Sequence, residues 1–353
     1  MLAEPLMAGV CGTDLQILSG VRPDEATILG HEGVARLIEV AKGVDQFSIG
    51  DLVVFNPVDS TDQNHILGHS TPGIFQRQFL ITRRAAKGGL VAKFDSRVPL
   101  ICGPLVEPLG TVIYGHGLVR QVRTLKSIAV VGAGPIGLLN LIYARVQNYQ
   151  TIFLVHNSRS RLEWAMRRGI VKTEEALLDG PTIAESILER TGGAGVDAVF
   201  LCTTRPAAAK ALRRSFNYLR EGGCVDLVVG FNDGSEMPEL PGVELNTIRR
   251  ANYCGIPEAG EVKCHLTNKG KTVWLTGHRG TSTGHLMSAM KMLRQNHQPF
   301  VSVISHVVSL DSAPFILREL MRNQGRLFEG EEVVKIVIDF SIQGDWIGTP
   351  EFI

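Results

Sequence analysis

Two features of this sequence predict an α/β fold in which a doubly wound parallel sheet accompanies a separate β-rich part. From residue 124 to 284, strand-like runs of Val, Leu and Phe without polar alternation recur between helical stretches. That is the pattern of a parallel sheet covered on both faces. On either side, in residues 1–123 and 285–353, short β-type runs are broken by turn signals. With 353 residues, two domains of roughly 150 each are expected, and 44% hydrophobic content suffices for a sizeable core.

Taken in order, the N-terminal hundred residues carry runs such as "DLVVF" and "FQRQFLI", separated by "FNPVDSTDQN", "STPG" and "KGG". These read as irregular antiparallel β structure. The texture then changes. "SIAVVGAGPIGLLNLIYARVQ" is a buried strand, a glycine turn and an apolar helix, and "TIFLVHNSRSRLEWAMRRG" repeats strand then helix. "GVDAVFLCTT", the helical "AAAKALRRSFNYLREGG" and "CVDLVVGF" continue the alternation as far as "TVWLTGHRG". An amphipathic helix, "HLMSAMKMLRQN", and strand-like "VSVISHVVSL" and "EVVKIVIDF" close the chain. The end resembles the start, so the α/β domain is either inserted into the β-rich one or follows part of it.

Bulk properties exclude several partners. Thirty-six basic and 35 acidic residues leave a formal charge of +1, which gives no electrostatic reason to expect nucleic acid or an anionic membrane. No apolar run approaches the roughly 18 to 20 residues that cross a bilayer. The start, "MLAEPLMAGVCGTD", has neither a basic n-region nor a long apolar core, so a cytoplasmic protein is expected. Six cysteines, at 11, 102, 202, 224, 254 and 264, form no CxxC pair. They predict free, mostly buried thiols instead of a disulfide framework or a four-thiolate zinc site.

"VVGAGPIG" sets Gly132, Gly134 and Gly137 in G-x-G-x-x-G spacing, with Pro135 and Ile136 between the last two. One glycine permits the tight turn, the next lets backbone approach a pyrophosphate, and the third lets helix and strand pack closely, while the helix N-terminus faces the anion. The flanking strand and helix supply the context that makes this a Rossmann dinucleotide site. About 20 residues further on, an acid that grips the ribose 2′-hydroxyl of NAD is expected. Here that place reads His156, Asn157, Ser158, Arg159, Ser160, Arg161, with no carboxylate. Arg159 and Arg161 could pair with a 2′-phosphate, so NADP is expected over NAD.

The stretch "ILGHEGVARLIEV" puts His31 and Glu32 side by side, with Gly30 and Gly33 clearing space around them. Cys11 stands in "GVCGTD", twenty residues earlier, and Glu107 in "LVEPLG", ahead of the apolar helical run "TVIYGHGL". Singly, each has an ordinary explanation: a buried thiol, a turn histidine, an acid at a helix start. Together they offer one thiolate, one imidazole and two carboxylates, a set suited to zinc with an exchangeable position.

"GVCGTD", "GHEGV", "VEPLG" and "VGAGPIG", in this order, resemble the zinc-containing medium-chain dehydrogenases. The style is that of the polyol branch: sorbitol, sugar and cyclitol dehydrogenases, with threonine dehydrogenase as a relative. The resemblance covers nearly the whole chain. It implies a GroES-like catalytic domain built from both ends of the chain, 1–123 and 285–353, around a Rossmann domain at 124–284. It also implies that Cys11 and His31 bind a catalytic zinc. Glu32 would bind zinc in some states and yield to water or substrate in others, and Glu107 would contact the metal or the substrate's hydroxyls. Thr13 would relay the substrate proton, and Thr111 would lie where the nicotinamide ring rests. The chemistry implied is hydride transfer between nicotinamide and a hydroxyl-bearing carbon, with zinc as Lewis acid. A homodimer or homotetramer is likewise implied by resemblance alone.

Three departures shape the expectations. The family's structural zinc needs four closely spaced cysteines where this chain reads "NPVDSTDQNHILGHSTPG", so no second zinc is expected. His65, His69, Asp59 and Asp62 in that stretch read as a solvated loop. Relatives carry about two dozen more residues before the Cys11 motif, and their lack is expected to expose a sheet edge. Gln16 stands where several relatives have a histidine at the outer end of the proton relay, which makes threonine dehydrogenase a less favoured reading. Glu107 and the polar 56–72 loop favour a polyol, sugar or cyclitol substrate. The alternatives are a simple alcohol or aldehyde dehydrogenase and a catalytically idle NADP-binding protein.

Overall fold

The computed structural model describes residues 1–322 and 326–350. The chain forms two compact units, Met1–Gly110 with the segment from Gly280 onward, and Thr111–Arg279. The expected junctions at 123 and 284 fall here at 110 and 279. The first falls inside a continuous helix that runs on through Pro108 and Gly110.

The first unit opens with β1 (Leu2–Gly9) and the short helix α1 (Gly12–Leu18), then β2 (Glu32–Glu39), β3 (Leu52–Phe55), β4 (Phe79–Leu80) and β5 (Val91–Lys93). Helix α2 (Gly103–Val119) follows. In the second unit come β6 (Ser127–Val131), α3 (Pro135–Val146), β7 (Thr151–His156), α4 (Arg159–Arg167), β8 (Ala176–Leu178) and α5 (Ile183–Arg190). Next are β9 (Val196–Leu201), α6 (Arg205–Ser215), β10 (Leu219–Asp226), β11 (Lys263–Leu266) and β12 (Thr272–Thr276). The chain returns to the first unit with α7 (Thr283–Gln295), β13 (Ile304–Ser309), α8 (Ala313–Arg322), β14 (Lys335–Asp339) and β15 (Ile347–Gly348).

In the first unit eight strands form one sheet in the order β15-β13-β14-β1-β2-β3-β5, with β4 pairing β1 beside β14. The opening strand β1 is therefore flanked on both sides. It pairs antiparallel with β2, placing Gly9 opposite Glu32, and with β14, placing Gly9 opposite Val337. The exposed edge expected at the chain's start does not occur at β1, because β4 and β14 cover its outer side. "FQRQFLI" yields only the two-residue β4. Phe75, the first residue of the run, and the preceding Ile74 instead bond around Gly30, their amides donating to the carbonyls of Leu29 and Gly30 respectively.

The second unit's sheet runs β8-β7-β6-β9-β10-β12-β11, parallel throughout except for the antiparallel edge strand β11. Its core strands are largely apolar, as in Val196–Leu201, where every residue is buried and only Asp197 is charged. Each fully buried Val, Leu or Phe there contributes roughly 1.5–3 kcal/mol. The edge strand β11 was not expected. Its sequence, KCHL, is mostly exposed and carries no hydrophobic signal. Among the described residues no helix is long and apolar enough to cross a membrane.

Candidate functional site

In the first unit, a hydrogen-bonding corner brings distant residues together. Cys11 caps α1, and its amide donates to Asp14 Oδ2 at 2.7 Å. The other carboxylate oxygen of Asp14 accepts from the Gly30 amide at 3.3 Å and lies 3.8 Å from His31 Nδ1. Asp14, fully buried, thus ties the Cys11 corner to the entry of β2. Gly30 adopts φ +93°, and a Cβ there would stand 2.3 Å from the Phe75 ring. At Gly33 a Cβ would meet the Met7 carbonyl at 2.6 Å. The two glycines flanking His31 and Glu32 therefore let this corner press against β1 and the Phe75 turn.

The outcome is that one ligand atom each from Cys11, His31 and Glu32 lies within 4.8 Å of the others. Among the described residues this is the group of that kind, and Glu107 is not in it. Glu107 sits half-buried on α2. The donor set suits zinc. The His31 Nδ1 atom is buried without a hydrogen-bond partner and needs only a small shift toward Asp14 to donate to it. That would fix the tautomer that leaves the Nε2 lone pair for a metal, the usual arrangement of a metal-bound imidazole. Burial, with the Asp14 carboxylate adding to it, pushes the Cys11 thiol up, while Lys335 and the Thr13 amide and hydroxyl pull the other way. A cation beside the sulfur is what such a buried thiol needs to ionise. Thr13 Oγ1 is buried nearby and makes no full hydrogen bond.

Besides Asp14, two participants escaped the sequence reading. Lys335, 1% exposed on β14, forms an ion pair with Glu32 and donates to the Val10 carbonyl at 3.2 Å. Burial brings its ammonium down to about 8, against the pull of Cys11 and Asp14. The only linear signal was a lysine inside the apolar run "VVKIVIDF". His69 is the second. It was expected on a solvated loop, yet it is buried, its ring centroid 5.0 Å from that of His31. Asp24 Oδ1, 3.3 Å from His69 Nδ1, anchors it, and Arg22 in turn holds Asp24 at 2.7 Å. Burial, then His31 and Arg22, pushes its pKa down to about 4. Asp59 is likewise buried, where Arg84 and Thr61 satisfy its carboxylate. Compact ion pairing replaces solvation in that stretch. His65 and Asp62 are half-buried.

In the second unit the glycine turn joins β6 to α3. Gly132 takes φ +118°, and a Cβ there would meet the Cys202 carbonyl at 2.3 Å. Gly134 is the N-cap of α3, Pro135 fills the first helical position, and Ile136 follows. At Gly137 a Cβ would stand 1.8 Å from the Gly132 carbonyl oxygen. The amides of a helix start suit an anion. At the end of β7, His156 Nδ1 accepts from the Ala133 amide at 3.3 Å, so the imidazole braces the turn. Asn157 and Arg159 are exposed, whereas Arg161, treated alike in the sequence, is 3% exposed in the first turn of α4. Thr111 opens the second unit on α2, half-buried. All six cysteines are free, with Cys264 exposed on β11.

A thiol–imidazole–carboxylate cluster in one unit and a G-x-G-x-x-G turn at a helix start in another suit a metal-assisted nicotinamide oxidoreductase. The chain matches the alcohol dehydrogenase GroES-like domain over residues 2–91 and the zinc-binding dehydrogenase domain over 135–259. It belongs to the zinc-containing medium-chain alcohol dehydrogenase family. It is 29% identical to 2-dehydro-3-deoxy-L-galactonate 5-dehydrogenase of Pseudoalteromonas atlantica over 54% of this chain and 58% of that one. It is 29% identical to sorbitol dehydrogenase of Halalkalibacterium halodurans over 64% and 69%. The match thus spans less than two thirds of the first of these relatives. In structure it resembles 2R,3R-butanediol dehydrogenase of Bacillus subtilis, with a TM-score of 0.70 at 22% identity, covering 96% of this chain and 91% of that one.

Proposed function

We propose that this chain is a zinc-dependent dehydrogenase that moves a hydride between a nicotinamide cofactor, NADP before NAD, and a secondary hydroxyl or ketone of a polyol, sugar or cyclitol. The observation that carries the proposal is the convergence of Cys11, His31 and Glu32 within 4.8 Å. The names of the relatives, which act on a sugar acid or on sorbitol, support the substrate class.

In this reading Cys11 and His31 hold the metal and Asp14 orients the imidazole. Glu32 is the exchangeable ligand, since Lys335 offers its carboxylate another partner. When bound, zinc supplies a Lewis acid that makes the substrate hydroxyl more acidic, and the nicotinamide C4 supplies the hydride acceptor. Thr13 Oγ1 takes the hydroxyl proton and passes it outward. Gln16, which cannot titrate, leaves water or the cofactor ribose as the next carrier. Glu107 accepts a hydrogen bond from a neighbouring substrate hydroxyl, a contact that a polyol can make and a simple alcohol cannot. The Gly132–Gly137 turn and the start of α3 hold the pyrophosphate, Thr111 borders the nicotinamide, and His156, Asn157 and Arg159 border the adenosine ribose.

The test is metal analysis of the purified protein together with a panel of polyols, cyclitols and simple alcohols, each with NADP and NAD. One zinc per chain and chelator-sensitive oxidation of a polyol are expected. Metal and cofactor binding without turnover of any alcohol would favour an idle binding protein, and two zincs per chain would refute the single-site reading.

A further inference from the structure

Lys335 is the least expected group near the cluster. It sits in a strand whose every residue is buried. An ammonium there is costly unless it is paired and hydrogen-bonded. Both conditions are met by residues that flank Cys11 or belong to the cluster, the Val10 carbonyl and the Glu32 carboxylate. Space is cut for the pair. Gly9 lies opposite Glu32 in the sheet, and a Cβ on it would stand 2.7 Å from Lys335 Nζ and 3.0 Å from Glu32 Oε2. Strands β1, β2 and β14 thus each contribute one part of a preformed slot for this ion pair.

We propose that Lys335 is a positioning residue that competes with the bound metal for the Glu32 carboxylate, a latch that keeps the coordination position Glu32 would fill exchangeable. The proposal rests on the zinc reading above. A carboxylate within ligand distance of Cys11 and His31, yet already held by an ammonium, has two cationic partners on offer. Whichever it leaves, the other is stabilised. The ammonium also repels the metal directly, an effect that is large at short range where water is excluded. The metal is therefore held firmly by thiolate and imidazole and only conditionally by Glu32. Lys335 has an opposite effect as well, because its charge favours the Cys11 thiolate. Once the metal is in place that thiolate is already ionised. The rate of metal release, more than the affinity, therefore isolates the latch.

The experiment loads the full chain with zinc and follows release to a chromophoric chelator at fixed pH. Lys335→Met keeps the stem and removes the charge. It should release zinc about tenfold more slowly or slower still, the equivalent of roughly 1.4 kcal/mol. Lys335→Arg should stay near the wild type. Lys335→Gln, which can still donate to Val10, serves if the Met variant does not fold, and should shift release in the same direction. In a Glu32→Gln background the slowing should shrink, since the carboxylate that the latch controls is gone. Release from Lys335→Met or Lys335→Gln as fast as from the wild type, or faster, overturns the latch and leaves the zinc reading intact. A wild type that binds no zinc overturns both.

Discussion

The glycine turn of the second unit and the Cys11 cluster of the first do comparable work, each preparing a place for a ligand, but they are specified differently. The turn is local: Gly132 to Gly137 span six consecutive positions, Gly137 is constrained by the Gly132 carbonyl of the same turn, and Gly132 by the Cys202 backbone just past the adjoining β9. The cluster draws on positions 9 to 14, 30 to 33 and 335, and only the pairing of β1 with both β2 and β14 brings them together. Local chemistry makes a motif readable. Sheet register makes a site that no window of sequence contains.

The comparison breaks most visibly at His31. His31→Ala should lose zinc and bring turnover to background, while fluorescence titration with NADPH still shows binding to the second unit. Full zinc retention in this variant would mean that the cluster is not the metal site. The reciprocal change is Gly137→Ala. Helix propensity alone would favour alanine by up to about 1 kcal/mol. The new methyl, however, would meet a backbone carbonyl at 1.8 Å, and that atom cannot swing aside. Overpacking of this kind costs about 1–3 kcal/mol or more, so destabilisation wins. Dinucleotide binding should fall sharply with zinc content unchanged. Zinc and cofactor lost together would show that the two regions do not fail separately.

How much could be read from the sequence follows the same division. The strand–turn–helix at 127–147 and the parallel strands to 276 were legible, because apolar runs and glycine spacing are local signals. The pairing of Cys11 with His31 and Glu32 was legible only through ordered motifs. Asp14 and Lys335 were not, because each acts through a contact made in the folded sheet. His69 was misjudged for a related reason. A histidine among Ser, Thr, Asp and Gly looks solvated, and nothing nearby in the chain announces that Asp24, 45 residues earlier, will anchor it against His31. The edge strand β11 was missed because its exposed residues have no reason to alternate.

The smallest expected effect lies at the end of β7, where two arginines that read alike in sequence part company. Arg159 is exposed and Arg161 is buried in the first turn of α4. A 2′-phosphate arriving from solvent can pair with the first without displacing existing packing. An exposed charge-assisted hydrogen bond is worth about 1.5 kcal/mol, or about tenfold. Arg159→Ala should therefore raise KM for NADP about tenfold and leave KM for NAD nearly unchanged. Arg161→Ala should instead lower thermal stability, because it empties a buried position, and should weaken both cofactors alike. Steady-state kinetics with both cofactors, beside thermal melts, separates the two. Equal effects of Arg159→Ala on NADP and NAD, or a wild type that prefers NAD, would show that the missing carboxylate at 156–161 does not mark a 2′-phosphate site.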